Sequence, residues 1–324
     1  MTIQQKPFKS SLSSELANFI EIKQASGFHY NEASRVLHHF DNLIADKFPN
    51  STTLTKEICE QWLLQNIHTK TATQMKIVTP VRQFALFLNA IGKPAYVYPS
   101  YIPGKIPKYQ AHIFSDNEIK AFFASVDKCD TCAWSKAMHL CIPALFRLLY
   151  CTGLRSSEAR LLRRRDINLD TGKLIIRNSK FRKKRIVMLS DSLCVYLRDY
   201  DNRVNAIFPN RDPFFPNERC TFYGKSRFGD WFHMFWDSLP EAAEVVGNTP
   251  RLHDFRHTFA VNCINKWVKE GMQVDHMYVY LSEYMGHEGY SETDYYLSLA
   301  ASFYPELAKK MKDINIKILP EVSQ

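Results

Sequence analysis

The sequence predicts a mainly α protein with one small antiparallel β-sheet, built as an N-terminal helical bundle, a linker and a larger α+β domain. Three observations carry this reading. Apolar residues recur at helical spacing three times before residue 92, four prolines punctuate residues 94–107, and one pair of β-branched runs interrupts an otherwise helical pattern beyond them.

In chain order, Leu12, Leu16, Phe19 and Ile20 mark the apolar face of a first helix. Val36, Phe40, Leu43 and Ile44 mark a second, and Phe84, Phe87, Leu88 and Ile91 a third, closed by Gly92. A shorter helix is expected around Glu57–Leu64. Pro94, Pro99, Pro103 and Pro107, set among tyrosines and lysines, favour an extended linker over a packed element. The first domain is therefore placed at residues 1–108, with the linker from about 93, and the second at 109–324. Ser115-Asp116-Asn117-Glu118 has capping-box spacing and opens the second domain's first helix. Asp170-Thr171-Gly172 is a turn; Leu174-Ile175-Ile176 and Ile186-Val187-Met188 are strands facing each other across a basic loop.

With 324 residues, 45% of them hydrophobic, the chain can bury a full core, and length favours about two domains. No apolar run is long enough to span a bilayer and the N-terminus lacks a secretory pattern, which predicts a cytoplasmic protein with reduced cysteines. Cys141, Cys151 and Cys263 sit among apolar neighbours and read as small core residues. Cys129 and Cys132 have zinc-knuckle spacing, with His139 nearby, but no second cysteine pair follows. His253 and His257 are four apart, as in a helical zinc site, yet Arg256 between them would repel a cation.

The net charge of +9 is concentrated in one place. Residues 147–185 hold thirteen Lys and Arg against Glu158, Asp166 and Asp170, while the rest of the chain is nearly neutral. Such a concentration suits a polyanion, because each neutralised phosphate releases counterions; a solvated basic face is the bland alternative.

Arg251-Leu252-His253-Asp254-Phe255-Arg256-His257 is followed by Met285-Gly286-His287 and then by Tyr295-Tyr296. Upstream stands Thr152-Gly153-Leu154-Arg155-Ser156-Ser157-Glu158. His253 and Arg256, three apart, share a helical face and can converge on one anion. Singly these residues mean little: Arg155 could simply pair with Glu158 on the next turn. Their order and spacing carry more, and the stretch from about Phe114 to Tyr296 resembles the tyrosine recombinase (phage integrase) family.

The resemblance implies a SAM-like, DNA-binding helical domain at 1–108 and a catalytic domain at 109–324 ending in a tail helix. It implies catalytic Arg155, Lys180, His253, Arg256, His287 and Tyr296, with Arg177, Arg182, Lys183, Lys184 and Arg185 on the DNA. In the family a lysine on the β-hairpin enters the groove beside the scissile phosphate; Lys180 lies 25 positions after Arg155, although Asn178-Ser179 precedes it where a glycine is commoner. The nucleophile follows the glycine-histidine pair by nine positions, which is Tyr296; Tyr295 is read as core. Fixed arginines can meet the charge of a phosphorane without a metal. A tyrosine that titrates near about 10 needs a base or a positive field to attack. The implied activity is site-specific recombination of double-stranded DNA through a 3′-phosphotyrosyl link, with no cofactor, metal or ATP, by a homo-tetramer and possible companion recombinases. A type IB topoisomerase-like enzyme and a silent accessory DNA-binding protein are the alternatives. Leu307, Met311, Ile314 and Ile318, behind Pro305, form an apolar stripe that predicts a tail packed on its own domain or on a neighbouring protomer.

Overall fold

The computed structural model describes residues 7–28, 30–100, 109–130, 135–177, 184–287, 293, 295–297 and 299–300. The chain forms two compact units, Met1–Lys108 and Tyr109–Gln324. Among the described residues no helix is long and apolar enough to cross a membrane.

The first unit contains α1 (Ser13–Ala25), α2 (Asn31–Lys47), α3 (Lys56–Leu64) and α4 (Thr71–Ala90). Its core is Leu16, Phe19, Leu37, Phe40, Ile44, Ile58, Trp62, Phe84 and Leu88, drawn from all four helices. α4 begins well before the apolar residues that signalled it, because its first turns are polar, and it accommodates Pro80 internally. Ile91, read as the end of that apolar face, is exposed. The proline-rich stretch also differs from a free linker at its start. The Ala95 backbone pairs with the Asn89 side chain, Tyr96 donates its N–H to the Leu54 carbonyl, and buried Tyr98 bonds the Cys59 carbonyl. Aromatic residues between the prolines supply the apolar area that fastens it.

The second unit opens with α5 (Asp116–Val126), where Ser115 and Glu118 form the full capping box. α6 (Met138–Thr152) is buried on nearly every side and ends at Gly153 in the left-handed conformation, φ 62°. A Cβ at Gly153 would stand 2.5 Å from the Phe259 ring and 3.3 Å from the Met285 sulfur, so only glycine lets the chain turn there. α7 (Ser156–Arg160) and a 3-10 turn (Arg164–Asp166) lead into an antiparallel sheet of order β1-β2-β3: Ile167–Asn168, Lys173–Ile176 and Arg185–Met188. The register places Leu174 opposite Val187 and Ile176 opposite Arg185. β1 is too short, at two residues, to leave a periodic signal.

α8 (Asp191–Ile207), α9 (Arg227–Trp236), α10 (Pro240–Glu244), α11 (Asp254–Lys269) and α12 (Val274–Met285) follow, and among the described residues after them 293, 295–297, 299 and 300 are helical. Phe122, Phe146, Phe232 and Phe255 meet edge-on or tilted at centroid distances of 5.2–6.3 Å and hold α5, α6, α9 and α11 together. Cys141 belongs to this core, but Cys263 is only half-buried and Cys151 is exposed, because the last turn of α6 turns that face outward. Lys180, Arg182, Lys183, Cys132 and the apolar stripe after Pro305 lie outside the described residues.

Candidate active site

Three chain reversals bring the site together. Gly153 ends α6 and presents Arg155 just before α7; His253 precedes α11 and Arg256 sits in its first turn; Gly286, again left-handed at φ 69°, ends α12 and presents His287. Arg155, His253, Arg256, His257, His287, Tyr295 and Tyr296 line one pocket of about 440 Å³. Five of the six catalytic residues expected from sequence thus share one concavity. Larger hollows exist, but the one at Arg164, Asp201 and Arg211 is built from arginines already paired with Asp201.

Arg256 is the centre of the arrangement. It is 2% exposed and is held by main-chain carbonyls: Nη1 donates to Gly153 at 2.7 Å and Nη2 to Met285 at 2.7 Å. Nη2 also stands 3.0 Å from Nε2 of His287. A guanidinium can only donate, so Nε2 accepts and the His287 ring proton is on Nδ1, donated to Oγ1 of Thr293 at 2.7 Å. The Tyr296 hydroxyl is a further hydrogen-bond partner of Arg256. Burial pushes Arg256 down to about 10, opposed by Tyr296 and reinforced by Arg155, and it remains a cation at neutral pH.

The histidines are held neutral. Burial and then the Arg256 and Arg155 guanidinium groups push His287 down to about 3. His257 is pushed to about 3 by burial, His253 and Arg256. Desolvation followed by repulsion from Arg256, Arg251 and Arg155 takes His253 to about 4. His253 is exposed and lines the pocket. A neutral imidazole facing solvent can accept a proton.

Tyr296 is 3% exposed, stacked on His287 at 5.6 Å and 24° and tilted against His257 at 5.4 Å. Tyr295 also lines the pocket, but its hydroxyl is engaged by the main chain: it accepts from the Ala111 N–H at 3.0 Å and donates to the Tyr109 carbonyl at 3.3 Å. That segment is also pinned by buried Asp254, whose Oδ2 accepts from the Tyr109 hydroxyl at 2.6 Å.

Outside the pocket the expected DNA-facing residues separate. Lys184 is exposed, while Arg177 is paired with Asp166. Arg185 differs from expectation: it turns inward, with its side chain only 11% exposed and both terminal nitrogens on Glu158. A buried carboxylate competes better for it than a solvated groove. His257, whose spacing from His253 suggests only a metal ligand, joins the site through its place directly after Arg256. Among the described residues no cluster of His, Cys, Asp and Glu is arranged to hold a metal ion.

Residues 113–302 match the model of the phage integrase family. The chain belongs to that family. Its members are tyrosine recombinases, and the chain is accordingly an enzyme that breaks and rejoins DNA strands. Among its relatives, y4rB of Sinorhizobium fredii, named as an integrase/recombinase, is 26% identical over 94% of this chain and 98% of its own length. The tyrosine recombinase XerA of Saccharolobus solfataricus is 26% identical over 71% of this chain and 64% of its own. The fold is shared with the crystal structure of the XerH site-specific recombinase bound to difH substrate, with TM-score 0.61, 19% identity and coverage of 91% of this chain and 84% of that one. It is likewise shared with a lambda integrase tetramer bound to a Holliday junction, with TM-score 0.59, 16% identity and coverage of 87% and 76%.

Proposed function

We propose that the protein is a site-specific recombinase that cuts duplex DNA with Tyr296 and rejoins it to a new strand. The observation that carries this reading is the contact of the Tyr296 hydroxyl with a buried, fixed arginine inside a pocket that also holds Arg155, His253 and His287. The Arg256 guanidinium lowers the cost of forming a phenolate, and neutral His253 takes the proton. Arg155 and Arg256 hold two non-bridging oxygens of the phosphate, a task their planar donors suit and a lysine's single ammonium does not. As the phosphorane forms, its added charge meets these fixed cations at no reorganisation cost. Neutral His287, accepting at Nε2 from Arg256, holds that guanidinium in place beside the phosphate.

Attack breaks the bond to the 5′ oxygen, which takes its proton from Lys180, and leaves a 3′-phosphotyrosyl link. The link keeps the energy of the broken ester, so a 5′ hydroxyl of a second strand can reverse the step without ATP and without a metal ion. Duplex DNA is the partner. Both units bind the DNA, Lys184 together with Arg182 and Lys183 contacts its phosphates, and four protomers assemble to exchange strands.

The test uses a labelled duplex from the flanks of the gene, nicked opposite the cleavage position so that the intermediate is trapped. Wild type should give a covalent protein–DNA band on a denaturing gel and Tyr296→Phe should give none. A band of undiminished strength from Tyr296→Phe would transfer the nucleophile's role to another tyrosine.

A further inference from the structure

Glu158 has a side chain with no solvent exposure and a single negative charge, and two arginines compete for it. Arg185 takes most of it: Nη1 donates to Oε1 at 2.8 Å and Nη2 to Oε2 at 2.8 Å, the parallel fork that makes arginine–carboxylate pairs strong. Arg155 reaches Oε1 at only 3.3 Å through Nη1, although its backbone N–H is bound to Oε2 at 2.9 Å. Its Nη2 donates to the Gly286 carbonyl at 3.1 Å. The carboxylate is thus committed to Arg185, and Arg155 is steered by it rather than neutralised.

Arg185 is also well placed to transmit position. It begins β3, opposite Ile176 at the end of β2, on the last paired rung of those two strands. Its Nε donates to the Tyr284 carbonyl at 2.8 Å, in the last turn of α12. The guanidinium lies against Gly286, where a Cβ would stand 2.9 Å from Nη1. One side chain therefore joins the hairpin, the Arg155 turn and the turn that presents His287.

We infer that Arg185 is a positioning residue for DNA cleavage: by satisfying Glu158 it leaves the Arg155 guanidinium to the scissile phosphate. The inference rests on the reading of Arg155 as a phosphate ligand. Without Arg185, Glu158 becomes a buried carboxylate whose nearest remaining cation is Arg155, one helical turn away. Burial makes that charge seek a partner, so Arg155 closes on Glu158 and a phosphate must displace it. Lysine at 185 offers one ammonium in place of the fork and repairs this only in part.

The full-length protein is titrated with orthovanadate, a phosphate-like anion that needs no knowledge of the DNA target, and each variant's thermal unfolding is recorded beside it. Arg185→Gln should weaken vanadate binding by roughly tenfold or more, and Arg185→Lys by less. Adding Glu158→Gln to Arg185→Gln should bring affinity back to within about threefold of wild type, because Arg155 then has no carboxylate to close on. A merely structural role for Arg185 gives no such recovery. A double variant that unfolds with Arg185→Gln and binds as weakly would overturn the inference. Arg155→Gln separates the two readings: if it binds vanadate as wild type does, or wild type binds none, the phosphate pocket itself is wrong; if it loses binding while the double variant shows no recovery, only the role of Arg185 is wrong.

Discussion

Replacing Gly153 by alanine tests how the pocket is built, because this residue stands between α6 and Arg155 and its carbonyl holds Arg256. Two costs add. The left-handed backbone at φ 62° penalises an L side chain by roughly 1–2 kcal/mol. The new methyl group would lie 2.5 Å from Phe259 and 3.3 Å from Met285, and forcing a methylene into a packed site costs roughly 1–3 kcal/mol. Taking about 3 kcal/mol as the sum, a unit of this size should unfold roughly 6–12 °C lower in calorimetry. Relief of the collision moves the Gly153 carbonyl away from Nη1 of Arg256, and displacing a catalytic group by about 1 Å costs up to about 10²-fold in rate. Covalent-adduct formation on the nicked duplex should fall accordingly. Gly271→Ala is the control: φ is 71° there too, but no atom lies within 4 Å of the new Cβ, so it should carry the backbone cost alone and retain cleavage. If Gly153→Ala unfolds with wild type and cleaves at full rate, the close approach inferred at this turn is wrong.

Tyr295→Phe should still form the covalent adduct while losing about 1–2 kcal/mol of stability, since the Ala111 N–H loses its acceptor; loss of the adduct at unchanged stability would reassign the nucleophile. Acid should weaken the fold. His257 and His287 sit near 3 when folded against an ordinary 6.5, so the unfolded chain binds more protons between those values and stability falls as pH drops below about 6.5. The slope is up to about 1.4 kcal/mol per pH unit for each. His257→Asn should flatten this dependence in calorimetry between pH 5 and 7, and an unchanged slope would show that His257 is not held neutral.

Much of the catalytic unit was legible because its signals are local. The capping box at Ser115, the strands on either side of residues 177–184 and the spacing of His253, Arg256 and His287 need only neighbours in sequence. What was not legible depends on residues distant in sequence. The fork between Arg185 and Glu158 spans 27 positions, and composition could only count Arg185 with the basic run around it. The docking of Ala95 and Tyr98 onto the first unit was hidden in the same way, since prolines announce an extended backbone but not what it lies against. His257 was obscured by its own chemistry: a second histidine four residues from the first suggested zinc, whereas burial beside Arg256 makes it a neutral ring packed on Tyr296.

The anchors of the two pocket arginines are mostly peptide carbonyls, those of Gly153, Met285 and Gly286, at the ends of α6 and α12. A carbonyl belongs to the chain and not to the side chain, so no single codon change can delete one. A substitution at 285 changes packing but leaves the carbonyl that holds Arg256, whereas 153 and 286 are confined by their left-handed backbone to the one amino acid that lets the helices stop where they do. The two cations are thus placed by the course of the chain rather than by the side chains around them.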